Sequence, residues 1–155
     1  MNQRPLAYLL TSIALISLPM GVQVLAEDPR PIEVFKLPDC ACCKNWIKLL
    51  EQEGYSIKVT DLPNVPARDE VRLQHGVPSH LAACHTSIIE GYVVEGHVSP
   101  AEIARLLRER PKIKGLFVKG MPKGAPGMEG GEPERYEVIA VDHQGDESVF
   151  AVHEP

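Results

Sequence analysis

A chain of 155 residues with a formal charge of −5, 24% charged and 44% hydrophobic residues, has the make-up of one ordinary globular domain with a real core. The acidic balance argues against nucleic acid and against anionic lipid as partners, because both select a basic face. Four cysteines would ordinarily mean disulfides, but three of them crowd into Cys40-Ala41-Cys42-Cys43, where the loops they could close are too small to staple a fold.

The first segment reads as an export signal. Arg4 gives a positive start, Leu6 to Val22 is apolar, and Val24-Leu25-Ala26 ends in the small-x-small manner of a cleavage site. Residues 1–26 are therefore expected to leave after Ala26. Pro19, Gly21 and the shortness of the run argue against a retained membrane span, and no cysteine follows the cleavage point to carry lipid. Residues 27–155 are expected to be one exported domain, monomeric and off the membrane.

Ile32 to Leu37 reads as a buried strand stopped by Pro38-Asp39. Lys44 to Glu53 follows as an amphipathic helix, with Trp46, Ile47, Leu49 and Leu50 at helical spacing and Gly54 as its stop. Tyr55 to Leu62 alternates as a second strand. Pro63 to Pro66 is a turn, Ala67 to His75 a helix ended by Gly76, and Val77-Pro78 opens an irregular connection into Cys84-His85-Thr86. Thr86 to Glu90 and Tyr92 to Gly96 form a hairpin about Glu90-Gly91. Ser99-Pro100-Ala101-Glu102 then sets up a helix start, with Ser at the N-cap, Pro at the first position and Glu at the third, running to about Arg110. Gly115 to Glu134, rich in Gly and Pro and without period, reads as one long loop. Tyr136 to Val141 and Ser148 to Val152 close the chain as a second hairpin.

The order β-α-β-α-β-β-α with a cysteine pair after the first strand is the thioredoxin pattern. The fold expected is α/β, a thioredoxin-like domain in which residues 115–155 add a C-terminal extension of Gly/Pro/Met loop and hairpin. Its β-α-β start calls for a right-handed crossover between parallel strands.

Three constellations carry chemistry. Cys40 and Cys43 have the C-x-x-C spacing of a redox pair, and Cys42 adds a third soft ligand; a helix start favours thiolate through its unpaired N–H groups and dipole. Cys84-His85 falls in the connection that enters the third strand, which the expected fold lays beside the cysteine-bearing helix; the plainer alternative is a buried structural cysteine with an incidental histidine. The third is the loop Gly120-Met121-Pro122-Lys123-Gly124-Ala125-Pro126-Gly127-Met128. Of four methionines, Met1 and Met20 leave with the signal, so Met121 and Met128 share one polar loop. Thioethers there bury little yet suit a soft cation such as Cu(I), unless they only pin the loop by packing. Among the other histidines His97 is the best placed to face the cysteines; His80 lies in the irregular connection, and His75, His143 and His153 read as ordinary residues.

Four thiolates would also suit Zn(II). Adjacent Cys42 and Cys43 strain a one-metal tetrahedron, however, and adjacent thiolates can bridge several Cu(I) ions. Imidazole and thioether move the preference further to copper. Ligand softness excludes calcium and magnesium.

With Cys-x-Cys-Cys, Cys-His-Thr, Gly-His-Val and Gly-Met-Pro-x-Gly-x-Pro-Gly-Met in this order, the chain resembles the CopG-type periplasmic copper-resistance family, unrelated to the DNA-binding repressor of the same name. The resemblance covers essentially all of residues 27–155. It implies a thioredoxin-like domain with a C-terminal extension that helps to bind copper, the family's motif falling on Cys40, Cys42, Cys43, Cys84, His85, His97, Met121 and Met128. It also implies interconversion of Cu(I) and Cu(II) in the periplasm, with copper ions and periplasmic efflux or chaperone proteins as partners. Two other functions stay open from the residues: a metal-free thiol–disulfide oxidoreductase, in which Cys40 attacks and Cys43 resolves, and a copper carrier or buffer without turnover.

Overall fold

The computed structural model describes residues 31–155; the expected signal segment lies outside the described residues. They form a mixed α/β domain, with seven strands in one sheet and three α-helices. Strand β1 is Ile32–Lys36 and helix α1 Ala41–Gln52; β2 is Ile57–Asp61 and α2 Val65–Gln74. A 3-10 turn at Ser79–Leu81 leads into β3, His85–Ile89, and β4, Tyr92–Glu95. Helix α3 is Pro100–Glu109, followed by β5 (Ile113–Phe117), β6 (Tyr136–Asp142) and β7 (Glu147–His153). The strand order is β2-β1-β3-β4-β5-β6-β7. The β1–β2 and β4–β5 pairs are parallel, each bridged by a helix, and the other pairs are antiparallel.

Strand alternation divides the core between two faces. On one, Ile32, Val34, Ile89, Val94, Leu116, Val138 and Ala140 meet Trp46, Ile47 and Leu50 of α1 and Ile103 and Leu106 of α3. On the other, Val93, Phe117 and Val141 pack with Leu81, and α2 lies on this side, where its Arg72 reaches Glu95 of β4. Helices therefore cover both faces.

Helix boundaries depart from the sequence expectation for reasons of capping. Helix α1 starts at Ala41 rather than Lys44 because the Cys40 sulfur serves as the N-cap acceptor for the Cys43 N–H. Asn64 caps α2 in the same way through Ala67 N–H, so Val65 and Pro66, read as turn, are its first turn. The Ser99–Glu102 capping box of α3 is present in full.

The long loop expected from Gly115 is corrected: Ile113–Phe117 is a strand. Gly115 looks like a breaker, but a Cβ there would collide with the backbone of Val93, so the glycine is what lets β5 close on β4. By inserting between β4 and β6, β5 makes the C-terminal hairpin continuous with the sheet. The Gly/Pro/Met segment is thereby reduced to the span between β5 and β6, and it returns beside the start of β3, where Gly120 bridges Ala83.

Candidate metal centre

The site forms where α1 begins beside the start of β3. On leaving β1 the chain is tied down by buried Lys36, whose ammonium donates to the carbonyls of Leu37 and Pro38 and pairs with Asp61 of β2. This brings Cys40 to the N-cap of α1, with Cys42 and Cys43 in the first helical turn. Cys40 and Cys43 are joined as a disulfide with Cα atoms 5.3 Å apart, while Cys42 and Cys84 are free thiols. Cys43 is fully buried; Cys40, Cys42 and Cys84 are half-buried.

Cys42 lies between the other sulfurs, with its Sγ 3.5 Å from Cys40 Sγ and 3.8 Å from Cys84 Sγ. All four sulfurs lie within 4.8 Å of one another, and a second group, Cys84, His85 and His97, meets the same limit. Cys84 is common to both. Its sulfur is 3.0 Å from His97 Nε2 and 3.4 Å from His85 Nδ1. His97 Nδ1 lies 2.8 Å from the Pro126 carbonyl, which can only accept, so that nitrogen carries the proton and Nε2 faces Cys84 with its lone pair. The two imidazoles meet edge to face at 5.1 Å, and Trp46 covers His85 at 4.4 Å. The Trp46 indole N–H donates to Val98 O at 2.7 Å, fixing the ring in that position.

Burial sets the charge states. It pushes the Cys84 thiol up to about 12, aided by the charge and hydrogen bond of Cys42. It pushes His85 down to about 3, with His97 and Arg72 acting in the same direction. His97 is lowered too, by burial working against the Pro126 carbonyl and Glu129. The resting site is therefore a neutral thiol flanked by neutral imidazoles, and neutral imidazole is the metal-binding form. Among the described residues, His85 Nε2 and Ser87 Oγ are buried without a hydrogen-bond partner; both belong to β3, on the face covered by Trp46.

A buried ion pair that sequence reading passes over supports the strand half. Glu95, fully buried, accepts from Arg72 Nε at 2.9 Å, Ala83 N–H at 2.8 Å and Thr86 Oγ1 at 2.6 Å. Arg72 also donates to the Ala83 carbonyl. Both peptide groups of the residue before Cys84, and the side chain after His85, are thus held from one carboxylate–guanidinium pair. Burial raises the Glu95 pKa, and Thr86, the Ala83 N–H and Arg72 oppose that rise. The signal in the sequence is an acid ending the apolar run Val93-Val94-Glu95, on the face that Val93 buries.

The Pro/Gly loop touches the site through backbone. Pro126 O orients His97, and Gly127 lies so close that a Cβ would be 2.7 Å from Trp46 N and 2.8 Å from Cys42 O. Met121 is 56% exposed and Met128 half-buried. Of the other histidines, His80 pairs with Glu147 on the surface and His75 lies near Phe35. His153 folds back to stack on Tyr136 and bond Glu102. None of these three belongs to either group at the site.

Fold and site together define an α/β protein with four sulfurs and two imidazoles converging at one end of its sheet, a donor set able to hold a soft metal. A family model described as protein of unknown function, DUF411, matches residues 81–128, the stretch with Cys84, His85, His97 and both loop methionines. No curated protein matches. Two solved structures do. One, titled copper resistance protein copG, form 2, is 41% identical over 82% of this chain and 100% of that chain, with a TM-score of 0.73. The other, form 1 of copper resistance protein copG, is 42% identical over 83% of this chain and 100% of that chain, also at 0.73. The chain belongs to the CopG copper-resistance family.

Proposed function

We propose that this chain is a periplasmic copper-binding protein of copper resistance, redox-active, built on a thioredoxin-like arrangement of β1 to α3. Copper would be held by the thiolates of Cys40, Cys42, Cys43 and Cys84 with the imidazoles of His85 and His97, and the loop bearing Met121 and Met128 would close over it. The observation that supports this most is the convergence of two ligand groups on Cys84. The donors are soft sulfur and borderline nitrogen, and no carboxylate belongs to either group, which suits copper. Neutral His85 and His97 offer nitrogen lone pairs without first losing a proton.

Bound copper would supply a one-electron Cu(I)/Cu(II) couple next to the two-electron couple of Cys40 and Cys43. Reducing that disulfide takes up two electrons and two protons and frees two sulfurs as ligands. Each thiol that becomes a ligand then releases its proton, Cys84 through His97 Nε2. The decisive experiment is anaerobic metal analysis of the mature protein with its Cys40–Cys43 disulfide first reduced, thiols being counted before and after chelation. Copper uptake that masks all four thiols is expected; stoichiometric zinc with no copper uptake would overturn the reading.

The Cys40–Cys43 disulfide favours one second reading, a metal-free thiol–disulfide oxidoreductase. In the reduced pair, Cys40, half-buried at the helix N-terminus, would attack a substrate disulfide, and buried Cys43 would resolve the mixed disulfide, re-forming Cys40–Cys43 and releasing the substrate as dithiol. A Cys42→Ser variant separates the two. Disulfide exchange kept and copper tolerance kept would favour the second reading; exchange kept and tolerance lost favours the first.

A further inference from the structure

Cys42 is the sulfur that a simple redox pair leaves unexplained. It lies 3.5 Å from one sulfur of the Cys40–Cys43 disulfide and 3.8 Å from the free Cys84 thiol, so it stands between a disulfide and a second thiol. Thiol–disulfide exchange needs that arrangement: an attacking sulfur near a disulfide sulfur, with a route for the proton. We propose that the disulfide migrates within the site, from Cys40–Cys43 to Cys42–Cys84, through Cys42. The inference rests on the reading that these four thiols form one working site, and it does not require copper.

Two exchanges accomplish the transfer. Cys42 sulfur attacks Cys40 Sγ, the Cys40–Cys43 bond breaks, and the Cys42 proton ends on Cys43; a Cys40–Cys42 disulfide is formed. Cys84 sulfur then attacks Cys42 Sγ, the Cys40–Cys42 bond breaks, and Cys40 leaves as the thiol. The proton of Cys84 passes to His97 Nε2, 3.0 Å away with its lone pair toward the sulfur, and from there to Cys40. One disulfide is present before and after, and no electron or proton is exchanged with the surroundings. No outside oxidant is needed.

The two isomers differ in what they leave free. With Cys40–Cys43 joined, Cys42, Cys84, His85 and His97 remain as donors. With Cys42–Cys84 joined, the helix pair is reduced and the sulfur shared by both ligand groups is blocked. The protein thus has one oxidation level with an open and a closed form of the strand-borne ligands.

The test uses wild-type mature protein, freed of metal, oxidised to the level of one disulfide, incubated with no added thiol, quenched in acid, alkylated and digested with trypsin. Cleavage after Lys36, Lys44, Arg72 and Arg105 puts Cys40, Cys42 and Cys43 on one peptide and Cys84 on another. The starting disulfide is a loop within one peptide; the migrated one links two. A Leu37–Lys44 peptide joined to Leu73–Arg105, with the bond mapped to Cys42, is expected, as is its loss in Cys42→Ser, where the Cys40–Cys43 loop persists. In Cys43→Ser the linked form should become dominant. Absence of the linked peptides from wild type overturns the migration, and a link mapped to Cys40 or Cys43 overturns the route through Cys42. Copper uptake by the fully reduced protein, measured in parallel, reports on the copper reading separately.

Discussion

The two halves of the site are held in place by different means. Cys40, Cys42 and Cys43 stand on local backbone, an N-cap and the first turn of a helix, and a sulfur performs the capping. Cys84 and His85 stand on the entry to β3 and are held from afar, by Glu95 and Arg72 behind them and by His97 and Pro126 in front. In the helix half Cys40 and Cys42 are half-buried and only Cys43 is fully buried, whereas in the strand half half-buried Cys84 is followed by fully buried His85 and flanked by a buried ion pair. A metal site of the kind proposed would use both, a more pliant set of donors on local backbone working against one fixed from across the sheet.

Substitutions that attack each half separately test this contrast. Cys84→Ser, which removes the sulfur both ligand groups share, should weaken Cu(I) binding more than the roughly 100-fold that outer-shell partners carry; competition with a chromophoric chelator measures it. Copper affinity unchanged would mean that the strand half is not a ligand.

Glu95→Ala should cost about 3–5 kcal/mol in denaturant unfolding, because it leaves the Arg72 guanidinium buried and unpaired. Adding Arg72→Met should recover part of that loss. Cys42→Ala should barely change stability, in keeping with a pliant helix half.

Acid should act on the strand half next. Burial holds His85 neutral in the fold, its pKa down to about 3, below the ordinary 6.5, with titratable His97 and the charged Arg72 and Lys36 acting in the same direction. Its folded pKa lies below its unfolded one, so the unfolded chain takes up the proton first. The contribution of neutral His85 is complete above about pH 6.5 and is lost as pH falls toward 3, at up to about 1.4 kcal/mol per pH unit. In metal-free protein, unfolding midpoints across this range should fall more steeply for wild type than for His85→Gln.

Gly127→Ala comes lower. Its φ of +82° and the closeness of Trp46 N and Cys42 O make a side chain there cost about 1–3 kcal/mol. The loss should appear as faster alkylation of Cys42 once the loop is pushed away. Ser87→Ala should have the smallest effect, within about 1 kcal/mol and of either sign, because the hydroxyl it deletes is already without a partner.

The same contrast marks what could be read from the sequence. The cysteine cluster, the Ser99–Glu102 capping box and the first hairpin are local patterns with local causes. The placement of Cys84, His85 and His97 beside the cluster follows once a β-α-β start and a following hairpin are recognised. Glu95 and Arg72 escape because a strand acid and a helix arginine usually face water, and only the pairing of α2 with β4 across the sheet makes them one buried unit. Strand β5 escapes because Gly115 looks like a breaker when the neighbour that demands it, Val93, is distant in sequence. The Gly/Pro loop shows its methionines plainly, yet its firmest contacts, through Pro126 and Gly127, are made by backbone and leave no side-chain trace.

Trp46, the single tryptophan of the chain, lies in van der Waals range of His85, with its indole nitrogen pinned to Val98. The protein therefore carries its own optical probe at the strand half, fully shielded from solvent. Ligand capture by His85, opening of the loop over Gly127 or loss of the tilted ring contact with His85 would each alter the emission of one identifiable fluorophore. Its intensity and wavelength can be followed in unlabelled protein, in real time, against a background with no second indole.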